Sequence, residues 1–475
     1  MTDTLVLGIE LGLSGIRAAV MDERGKVIAA SDRYPVPTKT GFGRAEQEPN
    51  DWLGRVALAG CDALAAIDPR CIEAVGVSAL GPAPVLVSED LQPVTPALLF
   101  SLDTRAEEQR CKIAARLGLT GDRLNHDHAI PKLLWWRDSE PSRWERAVWA
   151  LDATGFIVSH LTGKPTMDTI TALDYLLDGF QCPIAVPQPQ DPLSAAGQLT
   201  GAWAELLGLR QGVPVSVGTY DSYADAAATG TLSVGDACVL FGSTLIIGVV
   251  NATAPNDLHG LVASPHLGEG VLVGGWTSNG GSALSWARKL IGAEETFDDA
   301  LEASIGNLSP VEAGLVFLPY LSGARSPVHD PSARGLLLGL SAETKKEHVY
   351  RAVVDGVVLS VRDHADRLAM INASPLGWRA GGGGSRNRAL VQSTSDALRA
   401  PIEIVEDGSL PIGPCRLALR TIGHLPRVAV SAALEPNEHR SEQYDRIYGV
   451  YRQLYKALSD QMHMLTNISR SDGDP

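Results

Sequence analysis

The sequence predicts an α/β protein of two large lobes, and three observations carry that prediction. At 475 residues the chain is too long for one ordinary core, since a domain takes about 150 residues. Strand-like apolar segments alternate with amphipathic helical segments over most of its length. Two similar strand–turn–strand patterns, with glycine and hydroxyl residues at their tips, stand in distant parts of the chain, which indicates a duplicated core.

The first of these patterns opens the chain. Residues 4–11 cluster Leu, Val and Ile as a buried strand does, and residues 16–21 repeat the pattern. The tetrapeptide 12–15, Gly-Leu-Ser-Gly, offers a tight turn between them. A further strand is predicted at residues 26–31, so the chain begins with a three-strand meander.

The second pattern lies in the middle of the chain, with strands predicted at 237–241 and 245–250 around the turn Gly242-Ser243-Thr244. We expect the tips of the two patterns to face each other across a cleft. Helices are predicted at 50–67, 132–139, 282–290, 345–370, 386–398 and 441–468.

Composition narrows the function class. Hydrophobic residues make up 45% and charged residues 20%, as in globular proteins. The net charge of -15 repels phosphate backbones, so nucleic acid is not expected as a partner, although ATP needs only a local array of N–H groups and a metal ion. Six cysteines without a CxxC pair fit a reducing cytoplasm. No signal peptide or membrane segment is predicted, so we expect a cytoplasmic protein.

Glu10 is an acid inside an otherwise apolar strand. An unpaired charge there would be costly, so we expect it to meet a metal, a cation or a wet cleft. The N–H groups of the following turn could cradle phosphate oxygens. The alternative is an ordinary hairpin with an acid at the surface.

Asp221 follows an apolar strand and precedes a small-residue helix. This places it at the carboxyl end of a strand, where open α/β sheets bind ligands, and a carboxylate there could accept a proton from a substrate hydroxyl. A helix cap is the competing interpretation, because Asp and Ser are favoured cap residues. Asp225, one helical turn on, is expected to be a supporting or solvated acid.

A glycine-rich run at 381–384, followed by Ser385, precedes a predicted helix. Such a turn lets a flat or anionic ligand approach the backbone closely. A flexible linker is the alternative, which the flanking secondary-structure signals disfavour.

Taken in order, these motifs resemble those of the FGGY carbohydrate kinases, the group that contains xylulokinase, glycerol kinase and ribulokinase. The resemblance extends over about residues 5–419 and includes 46–49, 103–105, 131–135, 161–163, 274–281 and 318–335. It implies two ribonuclease-H-like (actin-like ATPase) domains with an interdomain cleft. We expect an N-terminal domain at 1–250 for sugar binding and the base, a C-terminal domain at 251–430 for nucleotide binding, and a helix and tail at 431–475.

The resemblance also implies roles for individual residues. Asp221 matches the family's general base, and Glu10 matches a magnesium-organising Asp, so both are candidate ligands of Mg²⁺. Leu13 stands where the family has a Thr that meets the terminal phosphate. The residues expected to contact ATP are Gly12, Leu13, Ser14, Arg17, Gly242, Ser243, Thr244, Gly281, Gly382, Gly383, Ser385 and Asn387.

The sugar pocket departs further from the family. Xylulokinases carry Gln-Met-His-Gly where this chain has Gly81 and Pro82, so a different sugar, a shorter polyol or a repositioned pocket is expected. The predicted acceptor contacts are Gly81, Pro82, Asp103, Arg105, Asp221 and Ser222, with Glu46 beside them. The prolines of residues 410–416 are expected to disturb a helix start and the adenine contacts there.

The predicted function is ATP-dependent phosphorylation of a hydroxyl of a small sugar or polyol, pentulose-like or related. The resemblance implies a homodimer. The competing hypothesis is a non-catalytic nucleotide- or sugar-binding sensor on the same fold, motivated by Leu13, Glu10 and the altered segment 410–416. A stand-alone actin-like ATPase is a third alternative.

Overall fold

The structure, a computed structural model, describes residues 4–41, 43–100, 102–119, 124–268, 270–292, 306, 308–312, 314–406, 410–424 and 428–471. The chain divides into two compact units. The first comprises Met1–Ala228 with Leu410–Arg427, and the second comprises Thr229–Ser409 with Val428–Pro475. None of the helices in the described part of the chain combines the length and apolar character that crossing a bilayer requires.

The strands, in chain order, are β1 (Leu5–Gly12), β2 (Gly15–Asp22), β3 (Val27–Ala30), β4 (Tyr34–Pro35), β5 (Lys39–Gly41), β6 (Arg44–Gln47), β7 (Ile72–Ala79), β8 (Val85–Val87), β9 (Ala97–Leu98), β10 (Trp149–Leu151), β11 (Ala195–Gln198), β12 (Pro214–Ser216), β13 (Thr219–Tyr220), β14 (Asp236–Phe241), β15 (Leu245–Asn251), β16 (Val262–Pro265), β17 (Val271–Thr277), β18 (Val316–Leu318), β19 (Leu336–Leu338), β20 (Gly377–Gly381), β21 (Ile402–Val405) and β22 (Val430–Leu434).

The α-helices are α1 (Pro49–Leu64), α2 (Glu107–Leu117), α3 (Ala129–Ser139), α4 (Pro141–Trp144), α5 (Ala153–Thr162), α6 (Gly201–Leu207), α7 (Asp221–Ala228), α8 (Gly281–Leu290), α9 (Lys346–Met370), α10 (Arg388–Leu398), α11 (Ile412–Thr421) and α12 (Glu438–Ser471). Short 3-10 turns cover Pro69–Cys71, Thr171–Tyr175 and Gly383–Arg386.

The main sheet of the first unit has the strand order β11-β12-β7-β1-β2-β3. Strands β1, β2 and β3 form the predicted antiparallel meander, and β1 pairs in parallel with β7. Strand β1 is buried on both faces, because Leu7 contacts helix α1 whereas neighbouring Gly8 faces Cys415 of α11. A near-continuous apolar sequence suits a strand covered on both sides.

The main sheet of the second unit repeats this plan in the order β16-β17-β15-β14-β20-β21-β22. Strands β14, β15 and β17 are antiparallel neighbours, β14 pairs in parallel with β20, and β20 pairs in parallel with β21. The two glycine-tipped hairpins therefore occupy equivalent places in two sheets of the same topology, which confirms the duplicated core.

The unit boundaries differ from the predicted domain boundaries. The second hairpin, which the sequence places before a boundary at residue 250, lies in the second unit because β14 pairs with β20. Helix α12 also belongs to that unit, where Tyr444, Tyr448 and Tyr451 are buried in its core. The predicted terminal segment 431–475 is thus part of the second unit in this structure.

The expected disturbance of the helix start at 410–416 is wrong. Helix α11 begins at Ile412, directly after Pro411, and Pro414 lies in its first turn. A proline is tolerated there because the first N–H groups of a helix have no intrahelical acceptor. The helix packs in the first unit, where a Cβ added at Gly76 would overlap the carbonyl oxygen of Pro414.

Candidate functional site

The acid of the first hairpin is paired with a cation on the adjacent strand. Glu10 on β1 faces Arg17 on β2 in the register, and Arg17 Nη2 donates to Glu10 Oε1 at 2.6 Å. The Glu10 side chain is 10% exposed and that of Arg17 is 21% exposed. The ion pair offsets the desolvation of a carboxylate in an apolar strand.

The tip of this hairpin is a two-residue turn. Leu13 is 42% exposed, and its carbonyl oxygen accepts from Gln47 Nε2 at 3.1 Å. Arg33 donates through Nη1 to the hydroxyl oxygen of Ser14. Burial and the charge of Arg17 lower the pKa of Arg33. Two guanidinium groups thus stand near one carboxylate at the tip, an arrangement that favours an anion.

Asp221 begins helix α7 directly after strand β13, so it lies at a strand end as predicted. Its Oδ1 accepts from the backbone N–H of the next residue, Ser222, at 2.7 Å. Burial, and then the negative charge of Glu10, raise the pKa of Asp221 to about 7. A carboxyl group whose pKa lies near neutrality is suited to accept and release a proton.

Asp225 follows one helical turn later, on the same face of α7. Burial and the charges of Glu10 and Asp221 raise its pKa well above the ordinary range. The sequence predicted a supporting or solvated acid there, and its electrostatic coupling to Glu10 and Asp221 favours the supporting role.

The predicted magnesium ligands, Glu10 and Asp221, are hard oxygen donors that interact electrostatically. Mg²⁺ is commonly held by one or two carboxylates together with substrate phosphates and water, so this pair fits such an ion. A cation beside them would also favour the ionised form of Asp221. Across the residues that the structure describes, no group of three or more His, Cys, Asp or Glu side chains could hold a metal alone.

The Gly81-Pro82 segment packs under the residue that precedes Asp221. A Cβ added at Gly81 would clash with the ring of Tyr220. Pro82 is buried, and its carbonyl oxygen accepts from Phe100 N at 2.7 Å. The absence of a side chain at position 81 is therefore a steric requirement of Tyr220.

Asp103 and Arg105, predicted as acceptor contacts, bind each other. Arg105 Nη2 donates to Asp103 Oδ2 at 2.7 Å, and Arg105 Nη1 donates to Glu46 Oε1 at 2.6 Å. Asp103 is fully buried and also accepts from Ala45 N at 2.8 Å. In this arrangement the carboxylate of Asp103 holds the loop together and is closed to a sugar.

Sequence reasoning missed a buried polar cluster beside Gly81. Tyr220 donates its hydroxyl to Asp174 Oδ2 at 2.8 Å. Asp152, Asp168 and Lys132 are buried nearby, and burial raises the pKa of Asp152 to about 7 and lowers that of Lys132 to about 8. The sequence feature that could have indicated this cluster is an aromatic residue, Tyr220, directly before Asp221.

The tip of the second hairpin is held by the start of helix α8. The carbonyl oxygen of Ser243 accepts from Gly280 N at 3.0 Å, and that of Gly242 accepts from Gly281 N at 2.8 Å. A Cβ at Gly281 would lie 2.8 Å from Gly242 O, so this contact needs glycine. Ser243 and Thr244 are exposed, and their hydroxyls have no hydrogen-bond partner among the described residues, which leaves both available to a ligand.

The glycine-rich run forms a turn after β20. Gly382 has φ of 79°, and a Cβ there would lie 2.9 Å from Phe241 O, whereas a Cβ at Gly383 would meet open space. Two predicted ATP contacts are used internally: the Ser385 hydroxyl donates to Gly382 O at 2.7 Å, and Asn387 Oδ1 caps helix α10 by accepting from Leu390 N at 2.9 Å. These two side chains stabilise the turn.

Two segments of the chain match the two domains of one known protein family. Residues 5–174 match the N-terminal domain of the FGGY family of carbohydrate kinases, and residues 237–420 match its C-terminal domain. The chain belongs to the FGGY family of carbohydrate kinases. The two matches place the first hairpin in the N-terminal domain and the second in the C-terminal domain, as the two sheets do.

Curated relatives support the same assignment over nearly the whole chain. A xylulose kinase from Lactococcus lactis is 27% identical over 98% of this chain and 99% of its own length. A gluconokinase from Bacillus subtilis is 22% identical over 98% of each chain. This FGGY chain is therefore a carbohydrate kinase.

Solved structures confirm the predicted fold. A xylulose kinase from Brucella ovis superposes with a TM-score of 0.85 at 25% identity, covering 96% of this chain and all of the other. A glycerol kinase from Plasmodium falciparum, solved with ADP, gives a TM-score of 0.79 at 16% identity over 95% of this chain and 98% of that one. The FGGY kinases have the two-domain actin-like ATPase fold.

Proposed function

We propose that this carbohydrate kinase transfers the terminal phosphoryl group of ATP to a hydroxyl of a small sugar or polyol, with Asp221 as the general base. The observation that carries the proposal is the position of Asp221, at the end of β13 and the start of α7, within the electrostatic reach of Glu10. Ligands bind at the carboxyl ends of strands in sheets of this kind.

In the proposed reaction the carboxylate of Asp221 takes the proton of the acceptor hydroxyl. The acceptor oxygen forms a bond to the γ-phosphorus, the bond from that phosphorus to the bridging oxygen breaks, and ADP leaves with the electron pair. Phosphoryl transfer depends on positioning and charge neutralisation more than on covalent chemistry. The hydrogen bond from the backbone N–H of Ser222 to Asp221 Oδ1, with 2.7 Å between nitrogen and oxygen, keeps the Asp221 carboxylate oriented.

The residues that we propose to contact the nucleotide lie in or beside turns. In the second unit these are the free hydroxyls of Ser243 and Thr244 and the open backbone at Gly383. In the first unit, Arg17 and the N–H groups of the Gly12–Ser14 turn would meet phosphate oxygens. Mg²⁺, when bound by Glu10 and Asp221, would neutralise phosphate charge.

The acceptor class follows partly from the relatives. Xylulose kinases from Lactococcus lactis and Bacillus subtilis are among the similar proteins, which supports a pentulose or a related polyol as the acceptor. Gly81 and Pro82 alter the pocket, so the preferred acceptor need not be xylulose itself. The role of Asp221 does not depend on that choice.

The test is an ADP-release screen of the purified full chain across ketoses, polyols and sugar acids with Mg²⁺-ATP. One acceptor should give strong turnover, and Asp221→Asn should lower kcat by about 100-fold or more while acceptor binding persists. Asp178→Asn, which makes the same charge change on an exposed residue, should keep full activity.

Two outcomes would contradict the proposal. Activity retained by Asp221→Asn would remove that residue from the mechanism. ATP binding without transfer to any acceptor would favour the nucleotide-binding sensor, which the exposed Leu13 in place of a hydroxyl residue motivates.

A further inference from the structure

Tyr220 and Gly81 are sterically coupled. Tyr220 is only 6% exposed, and its ring occupies the space that any side chain at position 81 would need. The two residues belong to different segments, the β13 strand and the loop after β7. A large residue at one position therefore requires glycine at the other. In this chain the large side chain is at position 220, next to Asp221.

The hydroxyl group of Tyr220 is held by a hydrogen bond. It donates to Asp174 Oδ2 at 2.8 Å, from the 3-10 turn Thr171–Tyr175. Asp174 is half-buried, and its second oxygen, Oδ1, has no hydrogen-bond partner among the described residues. A half-buried carboxylate oxygen in this position can accept from a ligand hydroxyl.

The surroundings of Asp174 are strongly acidic. Asp127 and Asp168 act on it electrostatically, and Asp152 acts on Tyr220. The opposing cation is Lys132, which is 1% exposed and donates its ammonium group to Phe100 O at 2.6 Å. Burial raises the pKa of Asp174 to about 7, so the carboxylate is ionised in a weakly alkaline assay.

We propose that Tyr220 and Asp174 form a specificity pair that selects neutral, hydroxyl-rich acceptors and rejects acceptors that carry a carboxylate. Asp174 Oδ1 accepts a hydrogen bond from an acceptor hydroxyl, and Tyr220 fixes the direction of that oxygen and fills the volume above Gly81. A sugar acid would bring a further negative charge to a group of carboxylates. This assignment rests on the proposed function, in which Asp221 next to Tyr220 is the base.

The assay compares acceptors that share a carbon skeleton and differ in charge: xylitol with xylonate, and glucitol with gluconate, at pH 8. The wild-type enzyme should prefer the neutral member of each pair by at least about tenfold in kcat/KM, because like charges in a partly buried site cost several kcal/mol. The ratio of kcat/KM for the neutral acceptor to that for the acidic acceptor, measured for variants, identifies the residues that determine the preference.

Asp174→Asn keeps an oxygen for the Tyr220 hydroxyl and removes the charge. It should reduce the neutral-to-acid preference by about tenfold, with the change mainly in KM. Tyr220→Phe keeps the ring over Gly81 and frees Asp174, so it should raise KM for the neutral acceptor more than it lowers kcat. Asp178→Asn should leave the preference unchanged. The shift in Tm that each acceptor produces gives the same ranking without turnover.

An active Asp174→Asn variant with the wild-type preference would overturn the specificity pair, as would a wild-type enzyme that prefers the sugar acids. Full activity of Asp221→Asn would overturn the proposed base, yet the acceptor preference would still be measured, so the two failures are distinguishable. If the wild type neither binds nor turns over any of these four acceptors, the specificity pair is overturned, whereas the proposed function is judged by the ADP-release screen that includes ketoses.

Discussion

Glu10 and Arg17 face each other across the first hairpin, and the Arg17 guanidinium donates to Glu10 Oε1 at 2.6 Å. The same carboxylate acts on Asp221 and raises its pKa. Glu10 therefore connects the turn of the first hairpin, which we propose to bind phosphate, with the proposed base, and its charge influences both.

Replacing Glu10 with Gln should change the pH dependence of the reaction. Removing the negative charge lowers the pKa of Asp221 from about 7, so more of the base is ionised in acid. The rising limb of kcat/KM should move to lower pH, while the Mg²⁺ concentration needed for half-maximal rate should increase several-fold. A pH–rate profile whose rising limb stays in place would contradict this coupling.

Thr244→Val should weaken nucleotide binding. The valine has nearly the same shape but cannot donate to a phosphate, and a hydrogen bond to a charged group contributes about 1.5–3 kcal/mol. We expect KM for ATP to rise about tenfold or more, measured by steady-state kinetics. Thr253→Val, at another exposed threonine of the second unit, is the matched control and should keep the wild-type KM. An equal effect of both variants would argue against a phosphate contact at Thr244.

Gly81→Ala should destabilise the first unit, because its methyl group clashes with the Tyr220 ring. Overpacking of this kind costs about 1–3 kcal/mol in the free energy of unfolding. In a Tyr220→Ala background the same change should cost little, since the ring is gone. Urea unfolding of the four proteins gives the coupling energy, and additive effects would show that the two positions are independent.

Asp174 should make the protein less stable as pH rises. Its pKa is raised from 3.8 to about 7 in the folded state, so between these values the native state holds a proton that the unfolded chain has released. Its contribution to stability is therefore present at low pH and is lost as pH rises toward 7.

Asp174→Asn should consequently reduce the fall in urea midpoint between pH 5 and pH 8, whereas Asp178→Asn should leave it as in the wild type. Asp152 and Asp221 also have pKa values raised to about 7, so both variants should keep part of the fall in urea midpoint. If the urea midpoint of Asp174→Asn falls as much as that of the wild type between pH 5 and pH 8, this carboxyl group has an ordinary pKa.

The hairpins and their turns could be predicted because their signals are local. Two apolar segments joined by a two-residue turn at Leu13 and Ser14 determine the register, and the same register pairs residue 10 with residue 17. The Glu10–Arg17 ion pair was thus implied by the sequence although it was not predicted. Asp221 was found for a similar reason, since a strand followed by a small-residue helix marks a strand end.

The remaining features depend on contacts between distant segments. Tyr220 and Asp174 are separated by 46 positions, and nothing local in either segment indicates their hydrogen bond. Asp103 was predicted to bind the sugar because it is a polar residue in a family motif, but Arg105 and Ala45 N take up its oxygens. Whether a polar side chain meets a ligand or the protein depends on packing that residue types alone do not reveal.

Helix α11 completes the first unit from a part of the chain that follows most of the second. Until residues 412–421 have been synthesised, the sheet surface at Gly8 and Gly76 lacks the helix that covers it. The nascent N-terminal portion consequently leaves the ribosome with an apolar face open to chaperones. Expressing residues 1–228 alone should yield an aggregation-prone fragment, which residues 410–427 joined by a linker should rescue.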